Sequence, residues 1–552
     1  MKNIIYFKNQ YIESKQKKIQ KFSKNGDIEK LYHFFIENDI DTHIDQDIIK
    51  PYTIDWSNIP GGFAEILVRP TSVIQCGMIL KTCQLCKIPI TISAGQTNLT
   101  GSATPNGGVV LSTQRLISPD ITVNIRNKTV SSPVGIPLEV MRNDVLKKSH
   151  NKLYYPVDPT SRNDALVGGT LSCNASGFIP GEKGATRYWV EEIEFMLING
   201  FSLIIKRGEY LSKDSQFIID CNGEELIIPV PSYKRPKIKN ASGPYSALNE
   251  EIDFIDLIIG SEGIFGMITS CKFNLANKPK EFLELFIRLK NENKAIEFHH
   301  YLYNYFKHDM SRVTALEYFG YNCQNYMKHK SFLFNNEEEV GVYVQVPIYN
   351  NTQEKKMLEW VSLLENFDLS IDLDDVISLN DSINWKRFFE ARHSIPDNAL
   401  TKTRKLGGVS LITDTIVPPE NFKEYLNKIH MKLQNEKIEY LLFGHLGDCH
   451  LHFHLIPSKK QNQLCLDIYD YMIDLSTQLD GVYSAEHGTG KRKRNDFKKC
   501  YGEDAVKMIR KTKVYLKGAY GPGNLGDDVL LLCMIKILRR VFTNTEITIS
   551  IR

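Results

Sequence analysis

Two short segments concentrate side chains that can do chemistry: Phe443-Gly-His-Leu-Gly-Asp-Cys-His-Leu-His-Phe-His-Leu455 and Ser484-Ala-Glu-His-Gly-Thr-Gly490. Five of the chain's 14 histidines fall within them. From His450 to Leu455 histidines alternate with apolar residues. A period of two is that of a β-strand, whose successive side chains point to opposite faces. The spacing predicts His450, His452 and His454 on one face, with Leu451, Phe453 and Leu455 turned into a core. His445 is expected in a glycine-flanked loop just before this strand, and Glu486-His487 in a second loop between small residues. Two imidazoles and one carboxylate, with a position left open, are the usual surroundings of a catalytic divalent ion. The plainer alternative is a polar strand face without metal. Three histidines on one face, together with a separate Glu-His loop, favour the metal.

Composition bounds the elements that must position these residues. A chain of 552 residues is too long for one core and should divide into two or three domains. Its 42% hydrophobic and 24% charged content is ordinary for a soluble globular protein, and a net charge of +3 argues against nucleic acid as a partner. The basic runs Lys15–Lys21 and Lys491-Arg-Lys-Arg494 read as solvated faces. No apolar run approaches the roughly 18 residues of a membrane-spanning helix. The stretch Met1-Lys-Asn-Ile-Ile-Tyr-Phe-Lys is too short in apolar residues for a signal peptide. An odd number of scattered cysteines, 11, fits reduced thiols in the cytoplasm, with a peripheral place at the inner membrane face as the alternative location. Cys83-Gln-Leu-Cys86 has CxxC spacing, but it falls in a helix expected over 73–86 without a second pair. It reads as packing.

Four regions follow along the chain: 1–60, 61–278, 279–515 and 516–552. The first is rich in Lys, Ile and Asp, with a helix expected around 28–37 and no identifiable chemistry. A strand over 65–69 then leads through Pro70-Thr-Ser72 into the helix, a strand over 88–93, a loop over 94–106 and a strand over 108–112. That loop, Ala94-Gly-Gln-Thr-Asn-Leu-Thr-Gly-Ser-Ala-Thr-Pro105, has the small residues and free backbone amides that let a phosphate approach closely. It joins strand to strand, whereas a nicotinamide-type Rossmann fingerprint needs a helix to follow. After Tyr155-Pro-Val-Asp-Pro-Thr-Ser161, a second small-residue turn spans 167–177, and a third over 259–269 leads into a strand. Singly each is a turn; together, between short strands, they would line one groove for a dinucleotide.

In this order, Pro70-Thr-Ser72, Ala94–Gly101, Asp158-Pro-Thr-Ser161, Gly168–Gly177, Gly260-Ser-Glu-Gly263 and Gly266, then His445-Leu-Gly-Asp448, His452 and Glu486-His-Gly488, resemble the motifs of FAD-dependent D-2-hydroxy-acid dehydrogenases. These form the D-lactate dehydrogenase and glycolate oxidase flavin-subunit branch of the vanillyl-alcohol-oxidase-type flavoproteins. The resemblance covers about residues 60–515. It implies an α+β fold. A two-subdomain FAD-binding domain of the vanillyl-alcohol-oxidase type (61–278) would precede an α+β cap domain with an antiparallel sheet (279–515). Ser93, Ala94, Gly95, Gln96, Thr97 and Asn98 would cradle the FAD pyrophosphate through backbone amides. Asp158, Thr160, Gly168, Gly169, Ser172 and Asn174 would line the flavin, and Glu262, Gly263 and Ile268 the rest of the groove. Covalently flavinylated relatives carry a histidine in the first loop; Gln96 and Thr97 stand there in this chain, which implies non-covalent FAD. The metal positions map onto His445, His452 and Glu486, with zinc the expected ion and His487 the base beside the flavin. Arg392 matches the arginine that holds the substrate carboxylate, a task suited to a planar, permanently charged fork; a helix-surface salt bridge is its other reading. A divalent ion on the substrate's hydroxyl and carboxylate lowers the hydroxyl pKa, so His487 can take that proton while hydride leaves for flavin N5. The implied activity is oxidation of a D-2-hydroxy acid, D-lactate or glycolate-like, with electrons passed on to a quinone, a cytochrome or a flavoprotein.

Three departures from the family pattern stand out. Ile412, in Leu411-Ile-Thr-Asp-Thr-Ile-Val-Pro418, occupies the position of a lysine found in relatives that act on dicarboxylates. Asp448-Cys-His-Leu-His452 replaces the usual Asp-Gly-Asn-Leu-His, and His454 stands where asparagine is usual, so His450 and His454 could tune the metal or contact an unusual substrate. From Val514 a strand–glycine loop–helix–strand unit is expected to run to Arg552. Its Gly521-Pro-Gly523-Asn-Leu-Gly526 satisfies GxGxxG, but one such unit is too little to bury a sheet. It resembles the opening of a polysaccharide pyruvyl transferase, with a junction near Leu516. Two further functional readings remain: an FAD-dependent sugar or lipid-precursor oxidoreductase tied to surface polysaccharide metabolism, and a flavin-free metal hydrolase.

Overall fold

The computed structural model describes residues 4–7, 9–23, 27–221, 224–248 and 250–518. The unit expected over 516–552, including its GxGxxG segment, lies outside the described residues from 519 onward.

Ser72 accepts a hydrogen bond from the Gln75 amide and starts the helix Val73–Cys86, which ends at a left-handed Lys87. Its buried side includes Cys76, Cys83 and Cys86, all free thiols. Burial raises the Cys83 thiol and pushes Cys86 up to about 11, so this CxxC is packing and not a reactive pair. The helix flanks a four-stranded sheet in the order Asp41–His43, Ile66–Arg69, Val109–Ser112, Ile90–Ser93, parallel except at its first pair. An eight-stranded sheet runs from Glu224–Pro229 through Gln216–Cys221, Ile4–Phe7, Ser202–Lys206, Val190–Met196, Met267–Asn274 and Thr129–Pro133 to Thr122–Asn124. One continuous core spans both sheets. The described residues among the first sixty join this body, because Ile4–Phe7 pairs inside the larger sheet and Asp41–His43 edges the smaller one.

One small-residue segment differs from its expected turn. Val167–Cys173 is a short helix, because Val167, Thr170 and Leu171 bury one face at helical spacing.

The cap is a seven-stranded antiparallel sheet: Val376–Ser378, Glu281–Leu289, Val340–Ile348, Ala315–Phe319, Tyr440–His445, His450–Leu455, Leu411–Ile412. The alternation in His450–Leu455 is as expected, with Leu451, Phe453 and Leu455 in one core. His445 is not in a loop. It ends the strand Tyr440–His445 directly opposite His450, and a tight turn over Leu446–Asp448 with left-handed Cys449 closes the hairpin. Opposite residues of an antiparallel pair share a face, so His445 joins the histidine row. The long helix Ser382–Lys405 buries Phe388, Ala391, Ile395 and Ala399 in the core on that same side as Leu441. The chain then returns to the larger sheet. Helix Arg494–Gly518, interrupted at Gly502 (φ 80°), lets Thr512 Oγ1 donate to the Pro229 carbonyl at 2.7 Å.

Phe453 is fully buried behind the histidine strand. Phe453→Ala is expected to cost about 3–5 kcal/mol, seen as a lower urea midpoint for unfolding of the cap.

Candidate active site and cofactor cleft

A cleft of ≈ 1790 Å³ is lined by loops of the two N-terminal sheets and by the histidine face of the cap. Ala94, Gly95, Gln96, Thr97, Asn98, Asp158, Thr160, Gly168, Gly169, Ser172, Glu262, Gly263 and Ile268 stand on its wall. Ser93 and Asn174 do not. Ser93 is buried in the strand behind the first loop, and its carbonyl accepts from the Thr113 amide at 2.9 Å. Asn174 caps the helix Val167–Cys173 in the left-handed region and accepts from the Arg187 amide at 2.9 Å. Both hold the wall from behind.

The first loop is braced by its own side chains. Gln96 Nε2 donates to the carbonyls of Pro51 (2.9 Å) and Ile54 (2.5 Å). Asn98 Nδ2 donates to Asp55 (3.0 Å), while its Oδ1 accepts from the Thr100 and Ser102 amides at 3.3 and 2.9 Å. Gly95 admits no side chain, since a Cβ there would lie 2.1 Å from the Asp164 carbonyl oxygen. Among the described residues the amides of Gly95, Gln96, Thr97 and Asn98 have no protein acceptor. Amides so clustered want an anion, and the loop fits a pyrophosphate.

The cap contributes the histidines. One donor atom each from His445, His450, His452 and Glu486 lies within 4.8 Å of the others. His445 Nδ1 donates to Glu317 (2.7 Å) and His452 Nδ1 to the Thr413 carbonyl (2.8 Å), so Nε2 is the remaining nitrogen of each ring, that of His445 lying 3.2 Å from Glu486 Oε1. Imidazoles that ligate metals are ordinarily held this way. His450 is fully buried, with neither ring nitrogen hydrogen-bonded. Three imidazoles and a carboxylate, two rings pre-oriented and one orphaned, fit a divalent ion of the zinc kind.

The electrostatics are opposed within the cluster. Burial lowers His450 and His452 to about 4, so both are neutral, the form that ligates. Burial also works against a charge on His445, but Glu317 and Glu486 outweigh it and raise His445 to about 10. Glu317, which burial alone would raise, is held down to about 2 by His445 and Arg392. Buried Lys239 lies 2.5 Å from Glu486 Oε1 and 3.2 Å from Asp448 Oδ2.

Asp414 fastens the second segment. Its buried carboxylate accepts from Ser484 Oγ (2.6 Å), the Glu486 and His487 amides (3.1 Å each) and Lys493 Nζ (2.7 Å). Glu262 holds the same segment from the other side, accepting from Ser102 Oγ (2.8 Å) and the amides of Thr489 (3.3 Å) and Gly490 (3.0 Å). Gly488, at φ 82°, passes so near that a Cβ would lie 2.7 Å from Glu262 Oε1. The run Lys491–Arg494 is therefore a solvated face only in part: Arg492 and Arg494 are exposed, but Lys493 is not. Lys493 is buried as the counter-charge of Asp414, and Arg492 donates to the Ser57 carbonyl at 2.7 Å.

His487 stands on the cleft wall with its ring parallel to that of His452, 6.1 Å between centroids. Burial holds it below the ordinary histidine range, with Asp414 opposing. Arg392 also reaches the wall. It pairs with buried Glu317 at 3.3 Å and lies over the Phe178 ring, so it is not a helix-surface salt bridge. His454 shares the histidine face but pairs with Ser410 Oγ at 2.7 Å, outside the cluster. Ile412, opposite His454, lines the cleft.

Sequence reasoning missed Glu317, Asp414, Lys239 and Lys493. Glu317 and Asp414 had a signal: each is the only charged residue in an apolar run, 313–319 and 411–418. A lone carboxylate in a buried strand needs a charged or donor partner. Lys239, among several lysines over 234–239, had none.

A groove with an anion-binding loop, joined to a metal-type cluster on an antiparallel cap, defines a two-domain, cofactor-dependent enzyme. Comparison with known proteins makes this specific. Residues 64–203 match the model of an FAD binding domain, and residues 314–519 that of the C-terminal domain of FAD linked oxidases. The chain thus carries both an FAD binding domain and the C-terminal domain of FAD linked oxidases and is an FAD-linked oxidoreductase, which sets aside the flavin-free hydrolase. It is 22% identical over 486 residues to a mitochondrial D-2-hydroxyglutarate dehydrogenase of Danio rerio, covering 87% of this chain and 82% of the relative. It is 24% identical over 483 residues to a D-lactate dehydrogenase of Anaerostipes hadrus, covering 85% and 91%. Among solved structures its fold is similar to that of alkyldihydroxyacetonephosphate synthase, with TM-score 0.56 and 12% identity over 88% of this chain and 84% of the other.

Asp414→Asn would leave Lys493 buried without its counter-charge. It is expected to cost about 3–5 kcal/mol, read by urea unfolding, and to make the 484–490 segment more open to limited proteolysis.

Proposed function

We propose that this chain oxidises a D-2-hydroxy acid of the D-lactate kind to the 2-oxo acid, using dissociable FAD and a divalent ion at His445, His452 and Glu486. The observation that carries this reading is that His487 and Arg392 share one cleft wall with the imidazole–carboxylate cluster and the amide-rich loop. The names of the D-lactate and D-2-hydroxyglutarate dehydrogenase relatives support the substrate class. Electrons would leave for a carrier such as a quinone, a cytochrome or another flavoprotein. No described helix is long and apolar enough to cross a membrane.

When bound, FAD supplies the acceptor for the α-carbon hydride, and the ion supplies the charge that makes a substrate hydroxyl acidic. The protein's own groups do the rest. Arg392, steadied by Glu317 and Phe178, offers its guanidinium to the substrate carboxylate. His487, neutral because it is buried and fixed through its amide to Asp414, takes the hydroxyl proton. The amides of Gly95–Asn98 hold the pyrophosphate, and Asp158, Thr160, Gly168, Gly169, Ser172, Gly263 and Ile268 shape the flavin groove. Ser93 and Asn174 serve as supports behind it, and Glu262, on the groove wall, holds the 484–490 segment. Ile412, 42% exposed in the cleft, gives that part of the wall an apolar side chain and favours a monocarboxylate over a dicarboxylate.

Purified protein is expected to show a flavin absorbance that bleaches on anaerobic addition of D-lactate, more readily than with D-2-hydroxyglutarate. EDTA should prevent the bleaching. A flavin untouched by any hydroxy acid would send the reading to sugars and lipid precursors. His487→Asn should slow flavin reduction about 10²–10⁴-fold in stopped-flow measurements without loss of bound flavin.

A further inference from the structure

Given the metal centre proposed above, we propose that His450 is a fourth protein donor to the same ion, so that the site holds three imidazoles and one carboxylate. The strand register supplies the geometry. His450 lies directly opposite His445 across the hairpin and two residues before His452 on the same face. Its ring centroid is 5.6 Å from that of His445 and 4.5 Å from that of His452, and its donor falls within the 4.8 Å cluster with Glu486.

The chemistry of the position points the same way. His450 is fully buried, and neither ring nitrogen has a hydrogen bond. Its nearest charged neighbour is Asp414, whose Oδ1 lies 3.4 Å from Nε2, beyond the usual span of an N–H···O bond. A buried polar atom without a partner is costly, and a cation within reach of the nitrogen removes that cost. His454 provides the contrast. It occupies the same strand face and its Nδ1 is also buried without a partner, yet its Nε2 pairs with Ser410 and the ring lies outside the cluster. Period-two spacing alone does not make a donor.

His450 also differs from its fellow donors in where it stands. His445, His452 and Glu486 line the cleft, whereas His450 does not. It approaches the ion from the buried side, so a substrate coming from the cleft need not displace it. The substrate would then raise the coordination number above four, and the ion would be retained more firmly than by three donors.

The test uses the full-length chain, its flavin content serving as the measure of correct folding, with zinc as the bound ion and EDTA as the competitor. His450→Asn is expected to release zinc to EDTA at least about 10-fold faster, a scale that even groups behind metal ligands reach, with flavin content unchanged. His454→Asn should release zinc at the wild-type rate. Zinc-edge X-ray absorption on the wild-type protein should count three imidazoles per ion, and this decides the matter even where His450→Asn fails to fold. Two imidazoles in the wild type, or undiminished zinc retention in His450→Asn, overturns the fourth donor and leaves the three-donor centre intact. A wild-type protein that takes up no zinc overturns the centre itself.

Discussion

A carboxylate sealed from water stays charged only if several donors and a cation surround it. Asp414 meets that requirement with the Ser484 hydroxyl, two successive amides and Lys493. The consequence reaches beyond one ion pair. Those two amides belong to Glu486 and His487, so the neutralisation of Asp414 and the placement of two chemically active side chains are one event. Glu262 grips the same segment at Thr489 and Gly490, from the side of the cofactor loops. One short loop is therefore held between a buried carboxylate, Asp414, and a half-buried one, Glu262, from the other domain. The cleft and the histidine face cannot be positioned independently.

Charge balance explains why the cluster suits a cation. Glu317, Asp414, Asp448 and Glu486 are offset by Lys239, Arg392 and Lys493, which leaves one negative charge when the imidazoles are neutral. Without an ion, His445 takes up the difference, which is why its neighbours raise it to about 10. A divalent ion in place of that proton would turn the site net positive, the sign that an anionic hydroxy acid requires. Lys239 has a further effect: it faces Glu486 from within the protein and keeps that carboxylate from being stranded uncompensated.

The two ends of the described chain serve the same groove. Residues 51–55, which show no chemistry of their own, hold the side chains of Gln96 and Asn98, so the loop amides remain without a protein acceptor. Arg492 ties the segment after Glu486 and His487 to Ser57. Support and chemistry are carried by residues far apart in sequence, and this limits what local patterns reveal.

Features with a local cause were legible. The alternation 450–455, the capped helix over 73–86, the amide-rich loop from Ala94 and the antiparallel cap follow from residue spacing, turn chemistry and family resemblance. Local patterns misplaced His445, which pairing with His450 draws into a strand, and the segment 167–173, whose apolar spacing closes a helical turn. What only the tertiary structure decided is which charges meet. Asp414 and Ser484 are 70 residues apart, and Glu317 and His445 are 128 apart. It also decided that His450 enters the cluster while His454, equivalent in spacing, goes to Ser410. The physical reason is one of range. Side-chain periodicity is set by backbone geometry within a few residues, whereas the partner of a buried charge is whatever the packed chain places within hydrogen-bond reach of it.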